Sequence, residues 1–242
     1  MASRRLGRPE LLAVVDAGAR QAQREDVGIK AVLASGLRGH GTYVDVGTNR
    51  GQVLREAVRI APRGRHLAFE PIPALAAEVA REFPGVDCRC KALGALPESA
   101  EFYYYRELDG WSGLRRRPEI SDSRGKPQLI TVEVSTLDVE LAGVTPSVVK
   151  IDVEGAENAV LEGARAVLAR TRPLVIFEHV RGAAALYGAE PAAPWDTLTE
   201  LGYEIFSVTG DGPFGRSEFI NGGPVVNWLA TPVASEASQP GG

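Results

Sequence analysis

The sequence predicts a doubly wound α/β fold built on a mainly parallel sheet. Apolar segments of strand length alternate with segments of helical periodicity, and the connections between them are short. Tyr43–Val46 has the pattern of a buried strand that ends in a glycine turn and continues directly into a helix. Val148–Val153 is largely apolar, as expected for a parallel strand that is covered on both faces. The chain of 242 residues is long enough for one such domain with a sizeable core.

The elements follow one another in a regular order. Residues 8 to about 37 have apolar positions at helical spacing and predict two helices that pack against the sheet or cover it. Further helices are predicted at residues 53–60, 74–83, 156–169 and 194–201. Strands are predicted, in chain order, at residues 43–46, 66–70, 86–93, 148–153, 174–177 and 203–208. Val225–Leu229 is expected to be a last strand that lies antiparallel at the edge of the sheet.

The alternation of strand and helix breaks between about residues 94 and 138. Residues 102–105 and 128–134 have the composition of extra strands, and a loop rich in Gly, Arg and Ser joins them. An insertion of this length in a compact domain is usually functional or mobile. We therefore expect the insertion to be a β-hairpin with a long loop that covers a ligand.

Three features of this loop bear on function. Trp111 is a candidate for stacking on the adenine of a ligand or for forming a wall of the acceptor site, and Ser112 is a candidate for contacting the acceptor. The basic run Arg115–Arg117 is more typical of a solvated face than of an anion site.

Composition argues against several classes of protein. The formal net charge of −4 gives no sign of a nucleic-acid-binding surface. No apolar run is long enough to predict a membrane span, and the basic start of the chain lacks the apolar segment of a signal peptide. Cys88 and Cys90 have no partners at zinc-site spacing and are expected to be reduced thiols in a cytoplasmic protein. Residues 233–242 are small and polar and are expected to be disordered.

The glycine turn after the first strand indicates the ligand. Gly47 and Gly51 are separated by three residues, and Asp45 precedes the first glycine by two. A dinucleotide fingerprint needs a further glycine, which Val53-Leu54 does not supply. The spacing therefore favours S-adenosylmethionine (SAM) over NAD.

Polar residues around this turn are candidates for holding SAM. Glu70, at the end of the second strand, is placed to accept hydrogen bonds from both ribose hydroxyls. Asp45 is expected to face the amino-acid end of the ligand. Asn49 either caps the following helix or presents its amide to the ligand carboxylate.

Two further clusters follow strands at the same edge of the predicted sheet. Lys150, Asp152 and Glu154 share one face of a central strand, where packing alone would not place charges. A role at the ligand site and a favourable interaction with the dipole of the helix that begins there explain Glu157 equally well. Glu178 and His179 end the fifth strand, and His179 is a candidate general base, although a structural bond to a loop carbonyl explains it equally well. The other histidines, His40 and His66, are interpreted as structural.

These motifs, in order and at similar spacing, resemble the FkbM-type SAM-dependent methyltransferases over residues 41 to about 230. The segments that carry the resemblance are Val44–Gly51, Phe69–Pro71, Ser135–Asp138, Lys150–Glu157, Leu161–Ala164 and Ile176–His179. The resemblance implies a Rossmann-like class I methyltransferase fold with a mainly parallel seven-stranded sheet and an antiparallel edge strand. It implies a methyltransferase domain at residues 41–232, and the helical segment predicted at residues 1–40 lies outside the resemblance. Thr48 departs from the family, whose members have Ala at that position.

The resemblance also implies the chemistry, which is methyl transfer from SAM to a hydroxyl of a sugar, a glycan or a natural product. The residues then expected to bind SAM are Asp45, Gly47, Thr48, Asn49, Gly51, Glu70, Ala92, Leu93 and Asp152. The expected catalytic residues are His179, Asp152 and Glu178, and Glu154 is expected to contact the acceptor. By similarity to other natural-product O-methyltransferases, Asp152 and Glu178 are candidates for holding Mg²⁺.

Two other functions fit parts of the pattern. One is an NAD-dependent oxidoreductase, and the other is a non-catalytic nucleotide-binding protein of Rossmann-like fold. The intact charged clusters favour an enzyme over the second of these. The sequence leaves the oligomeric state open, a homodimer included.

Overall fold

A computed structural model describes residues 8–118, 120, 125–221, 223 and 225–234. The basic start of the chain, most of the predicted tail and part of the basic loop, including Arg124, lie outside the described residues. Within that part of the chain, no helix is both long and apolar enough to cross a membrane.

A seven-stranded sheet forms the centre of the fold, with strand order β3-β2-β1-β7-β8-β10-β9. Its strands are β1 (Tyr43–Val46), β2 (Leu67–Phe69), β3 (Asp87–Arg89), β7 (Val148–Ile151), β8 (Leu174–Glu178), β9 (Tyr203–Ser207) and β10 (Asn227–Pro232). All of them run parallel except β10, so the predicted mainly parallel sheet is confirmed.

The last strand is antiparallel, as predicted, but its predicted place at the edge is wrong. Trp228 of β10 pairs with Phe177 of β8 on one side and with Ser207 of β9 on the other. Trp228 and Ala230 are buried in the core, where Trp228 packs on Phe214 and Phe219, and β9 forms the edge of the sheet.

Helices cover both faces of the sheet. They are α1 (Arg8–Leu37), α2 (Gln52–Ile60), α3 (Pro73–Glu82), α4 (Leu137–Glu140), α5 (Glu157–Glu162), α6 (Arg165–Thr171), α7 (Arg181–Ala185), α8 (Ala193–Glu200) and α9 (Arg216–Asn221). Successive strand residues point to opposite faces. In β8, Ile176 packs with α1 and α2, whereas Phe177 packs with α5, α6 and α8.

The N-terminal segment is one helix of 30 residues, and the prediction of two helices is wrong. No proline or capping residue interrupts the segment, and its glycines keep helical backbone. Gly28 lies where the helix crosses the end of β9, and a Cβ there would overlap the carbonyl oxygen of Val208. The glycine therefore permits close packing of α1 on the sheet.

Two other predicted elements are divided in the structure. The predicted helix 156–169 is split into α5 and α6 at Gly163, which passes so close to Gly94 that a Cβ would overlap its carbonyl oxygen. Asp138 then accepts hydrogen bonds from the first backbone amides of α6, with Val167 N–H at 2.7 Å. The predicted strand 86–93 is split into β3 and a short strand that leaves the central sheet.

That short strand belongs to a second sheet, which contains the insertion. Its strands are β4 (Ala92–Leu93), β5 (Glu98–Tyr104) and β6 (Gln128–Ser135), in the order β4-β6-β5. β5 and β6 form an antiparallel pair over seven residues, so the predicted hairpin is confirmed. The insertion is thus anchored on the chain that leaves β3.

Gly18 and Gly28, two of the three glycines of α1, provide a test of how this helix packs on the sheet. Gly28→Ala should lower the free energy of unfolding, because the new methyl group meets backbone that cannot move aside. Gly18→Ala, on the same helix but with open space around it, should raise that free energy by about 0.5–1 kcal/mol. Chemical denaturation of both variants measures the difference. Equal effects of the two substitutions would contradict the close packing at Gly28.

Candidate active site

The carboxyl ends of the parallel strands open into a cavity of about 1240 Å³. Its floor comprises the turn after β1 and the ends of β2, β7 and β8, and β4 forms a further wall. One face of α1 and part of the insertion, residues 109, 110 and 112–114, form its remaining walls. A cavity of this size at this edge is the position where doubly wound folds bind their ligands.

The turn after β1 has a backbone that requires glycine. Gly47 has a φ of 79°, and a Cβ there would overlap the carbonyl oxygen of Asp152. The backbone N–H groups of Gly47 and Thr48 both donate to the Phe69 carbonyl oxygen, at 3.0 and 3.1 Å. The turn therefore sits tightly between the ends of β2 and β7 and leaves room for a ligand above it.

The side chains of this turn make hydrogen bonds that the sequence did not predict. Thr48 Oγ1 donates to the Asp45 carbonyl oxygen at 3.1 Å, so its hydroxyl is used within the turn. Gly51, with a φ of 70°, occupies the N-cap of α2, and the predicted helix cap at Asn49 is wrong. The Asn49 side chain instead reaches Asp109 of the insertion, with Nδ2 and Oδ1 3.4 Å apart.

Glu70 is a buried carboxylate held by main chain. Its side chain lines the cavity although the residue is only 3% exposed. Oε2 accepts from the Asn49 backbone N–H at 2.8 Å, and Oε1 accepts from the Ile72 backbone N–H at 2.9 Å. Burial raises the pKa of Glu70 to about 7, although the two amides oppose the rise. Each oxygen keeps a further lone pair for a donor in the cavity.

Asp45 lies deeper in the same cavity and is 1% exposed. Its Oδ1 has no hydrogen-bond partner in the described part of the chain. Burial raises the pKa of Asp45 to about 6, and the charge of Lys150 acts in the opposite direction. Asp45 and Lys150 are neighbours across β1 and β7, so their side chains leave the sheet on the same face.

Lys150 lies between Asp45 and Asp152 and interacts with both carboxylates. Its Nζ donates to Asp152 Oδ2 at 2.8 Å. Burial opposes the ammonium charge, but the carboxylates of Asp152 and Asp45 outweigh it and raise the pKa of Lys150 above its ordinary value. The predicted sharing of one face by Lys150 and Asp152 is therefore seen as a buried ion pair.

Three carboxyl groups gather at the ends of β7 and β8. One oxygen each of Asp152, Glu154 and Glu178 lies within 4.8 Å of the others, and all three residues line the cavity. Burial raises the pKa of Glu154 to about 7, and Asp152 adds to the rise. Burial also raises the pKa of Glu178 well above its ordinary value, again with help from Asp152 and Glu154. The Glu178 side chain makes no hydrogen bond or ion pair to the residues that the structure describes.

Glu157 orders the loop that carries two of these acids. It is buried, and its Oε1 accepts from the backbone N–H groups of Val153 and Gly155, each at 3.0 Å. Gly155 has a φ of 108°, and a Cβ there would overlap the Ala183 carbonyl oxygen. The local, structural explanation for Glu157 is therefore sufficient.

His179 lies on the other side of the sheet from the cavity. Because strand residues alternate, Glu178 points toward the cavity and His179 points with Phe177 to the opposite face. The His179 ring stacks on Phe219 with centroids 5.1 Å apart and borders a separate hollow of about 260 Å³. This placement does not support the predicted role of His179 as the general base.

The remaining histidines have no part in the cavity. His66 is buried, accepts from the Tyr43 backbone N–H at 3.2 Å and lies 2.8 Å from the Ala61 carbonyl oxygen through its other ring nitrogen. His40 is exposed. Their interpretation as structural residues agrees with these positions.

The insertion reaches the cavity through other residues than Trp111. Trp111 is 47% exposed and does not line the cavity, whereas Ser112 does, and Ser112 Oγ accepts from the Tyr105 backbone N–H at 3.0 Å. The solvated-face interpretation is wrong for Arg117, which is 7% exposed. Its guanidinium donates to Glu154 Oε2 at 2.5 Å and to the Glu154 carbonyl oxygen at 3.1 Å. No local sequence signal could show this, because the contact joins residues 37 positions apart.

The acid group fits Mg²⁺ poorly. Carboxylate oxygens suit a hard cation. However, Lys150 already bonds Asp152 and Arg117 already bonds Glu154, so two of the three acids have cationic partners from the chain. The Mg²⁺ site at Asp152 and Glu178 stays a prediction, and no chemistry below depends on it.

The N-terminal segment covers the cavity, as the sequence suggested, although none of its residues was predicted as a site residue. Residues of α1 at helical spacing, from Gly18 to Ile29, line the cavity. Among them Glu25 is 4% exposed. Its position on the same stripe as the apolar Ile29 and Val32 was a signal, because a charge on an apolar stripe needs a partner.

Comparisons with known proteins agree with the geometry. The methyltransferase FkbM domain family matches residues 45–205. No curated protein matches the sequence. A solved methyltransferase FkbM from Methylobacillus flagellatus is 16% identical with a TM-score of 0.49, covering 80% of this chain. The chain spans 44% of the length of that protein.

Other solved structures are similar at lower identity. A TehB-like SAM-dependent methyltransferase from Corynebacterium glutamicum is 13% identical, with 90% of this chain and 98% of that chain covered and a TM-score of 0.45. The plantazolicin methyltransferase BpumL, solved with S-adenosylhomocysteine (SAH), is 10% identical, with 94% and 92% covered and a TM-score of 0.45. The matched segment contains the glycine turn, Glu70 and the acids of β7 and β8 on a Rossmann-like class I methyltransferase fold. The chain therefore belongs to the methyltransferase FkbM domain family.

Proposed function

We propose that this protein transfers the methyl group of SAM to a hydroxyl oxygen of a sugar, glycan or natural-product acceptor. The observation that carries the proposal is Glu70, a buried carboxylate fixed by two backbone amides beside a turn that admits no side chain at Gly47. A ribose needs such a rigid, double acceptor, and a main-chain turn lets the ligand approach closely.

The cavity has a place for each part of SAM. The ribose hydroxyls donate to Glu70, and the amino-acid end lies toward the unpaired oxygen of Asp45. The adenine lies along Ala92 and Leu93, which are buried in the cavity wall. The turn at Gly47, Thr48 and Asn49 supports the cofactor through its backbone. The positive sulfonium then lies in a site with an excess of carboxyl groups, which favours it over the neutral product.

The transfer itself needs alignment more than activation. The sulfonium already makes the methyl carbon electrophilic, so the acceptor oxygen attacks that carbon while the carbon–sulfur bond breaks, and SAH leaves. Holding the two groups in line supplies an effective molarity of roughly 10⁵–10⁸ M. The hydroxyl proton must go to a base.

Glu178 is the base that the geometry favours. Asp152 and Glu154 are engaged by Lys150 and Arg117, whereas Glu178 faces the cavity without a partner among the described residues. Its raised pKa makes its ionised form a stronger base than an ordinary carboxylate. Asp152, fixed by Lys150, orients the acceptor hydroxyl.

Replacing Glu70 tests the cofactor site. Glu70→Gln should weaken SAH binding about 10- to 100-fold, because it removes charged hydrogen bonds to the ribose worth roughly 1.5–3 kcal/mol. Glu82→Gln, at an exposed position on α3, is the matched control and should leave affinity unchanged. Isothermal titration calorimetry measures both, and circular dichroism checks the fold. Equal affinities for SAH in the two variants would remove Glu70 from the site.

Replacing Glu178 tests the base. Glu178→Gln should lower methyl transfer from radiolabelled SAM to methyl glycosides about 10²–10⁴-fold, with SAH affinity preserved. A protonated carboxyl cannot take a second proton, and the pKa of Glu178 is raised, so the wild-type rate should increase from neutral toward alkaline pH. The variant should lose this increase. Glu204→Gln, on the exposed face of β9, should keep both the rate and its pH dependence.

A chelator tests the charge balance. Since Lys150 and Arg117 already neutralise two of the three acids, methyl transfer should persist in excess EDTA. The measurement is the initial rate after dialysis against EDTA, with and without added Mg²⁺. A rate that collapses and is restored by Mg²⁺ would contradict the assignment of these side chains as the resident cations.

A further inference from the structure

Glu25 of α1 orients two amide side chains at the wall of the cavity. Gln21 Nε2 donates to Glu25 Oε1 at 2.9 Å, and Asn227 Nδ2 donates to Glu25 Oε2 at 2.8 Å. The backbone N–H groups of Val226 and Asn227 also donate to this carboxylate, at 3.1 and 3.3 Å. The buried carboxylate thereby fixes α1 to the start of β10.

This arrangement decides which way both amides point. An ionised carboxylate can only accept hydrogen bonds, so the NH₂ group of each amide must face Glu25. The carbonyl oxygens, Gln21 Oε1 and Asn227 Oδ1, therefore point away from it. Neither oxygen has a hydrogen-bond partner in the described part of the chain, and both residues line the cavity.

The two amides stand beside the proposed base. Asn227 of β10 pairs directly with Glu178 of β8 in the antiparallel register, so their side chains leave the sheet on the same face. Gln21 faces the same space from α1. Asp152 adds its carboxylate from β7. Four segments of the chain thus bring side-chain oxygens to this end of the cavity, beside the Lys150 ammonium that bonds Asp152.

We propose that Gln21 and Asn227, oriented by Glu25, form a subsite that binds hydrogen-bond donor groups of the methyl acceptor. The inference rests on the proposed function. It assigns the acceptor a chemistry, namely several hydroxyl or ammonium groups close to the methylated oxygen. Gln21, Glu25 and Asn227 all lie outside the segment that matches the FkbM family, so the subsite is supplied by the N-terminal helix and by β10.

Binding of three sugar probes to the SAH-saturated protein tests the subsite. Methyl α-glucopyranoside carries hydroxyl donors, glucosamine carries an ammonium in place of one hydroxyl, and the permethylated glucoside has the same ring without donors. Saturation-transfer NMR titrations should show the first two binding and the third binding at least about fivefold more weakly. Comparing the first two separates recognition of hydroxyls from recognition of an ammonium.

Matched substitutions on one helix assign the effect to the amides. Gln21→Ala and Asn227→Ala should each weaken binding of the donor probes about 3- to 10-fold, as expected for one lost hydrogen bond. Gln23→Ala, an exposed glutamine two positions along α1, should leave it unchanged. SAH affinity should be the same in all three variants.

Two kinds of failure can be told apart. Equal binding of the permethylated glucoside, no binding of either donor probe, or equal effects of Gln21→Ala and Gln23→Ala would each overturn the subsite while SAH binding remains. Failure of the wild-type protein to bind SAH would overturn the proposed function, and the subsite with it.

Discussion

The close approach of the Gly47 turn to the end of β7 is the constraint on which the site depends. The turn is bonded to Phe69 of β2 on one side and touches the Asp152 carbonyl on the other, where no side chain fits. These contacts fix the positions of the ends of β1, β2 and β7 relative to one another. Their polar terminal residues, Glu70 and Asp152 among them, then reach the same cavity. A bulkier residue at position 47 would separate these strand ends before it disturbed the hydrophobic core.

Assembling acids at this edge carries an electrostatic cost that the chain offsets only in part. Buried carboxyl groups repel one another and hold protons to higher pH, as the raised pKa values of Glu154 and Glu178 show. Lys150 and Arg117 neutralise two of the acids, and one comes from the central sheet while the other comes from the insertion. A cationic sulfonium would relieve the remaining excess. The same excess of carboxyl groups that destabilises the fold therefore favours binding of the positively charged cofactor.

The sequence could predict those features that depend on residues close together in the chain. The parallel strands, the glycine turn and Glu70 at a strand end follow from periodicity and spacing over a few residues. The alternation of side chains along a strand could also have been applied to residues 178 and 179, and it would have placed Glu178 and His179 on opposite faces of the sheet. The inward turn of Arg117 and the division of the helix at Gly163 depend on partners distant in sequence, Glu154 and Gly94 respectively. Such contacts become visible only when the elements are packed.

The cavity is enclosed on two sides by contacts between residues that are distant in sequence. Arg117 ties the insertion to the loop after β7, and Glu25 ties α1 to β10 across some 200 residues of sequence. Each tie is a buried charged group that bonds residues next to an end of β7 or β10, so loss of either would leave an uncompensated polar group as well as an open wall. α1 also covers part of the core, since Leu33 and Leu37 pack in the same cluster as Ile176 of β8. What the ties add is a fixed position for Glu154 on one side and for Asn227 on the other. The residues proposed to bind the cofactor thus lie on turns at strand ends, whereas the space proposed for the acceptor is bounded by two contacts between residues distant in sequence.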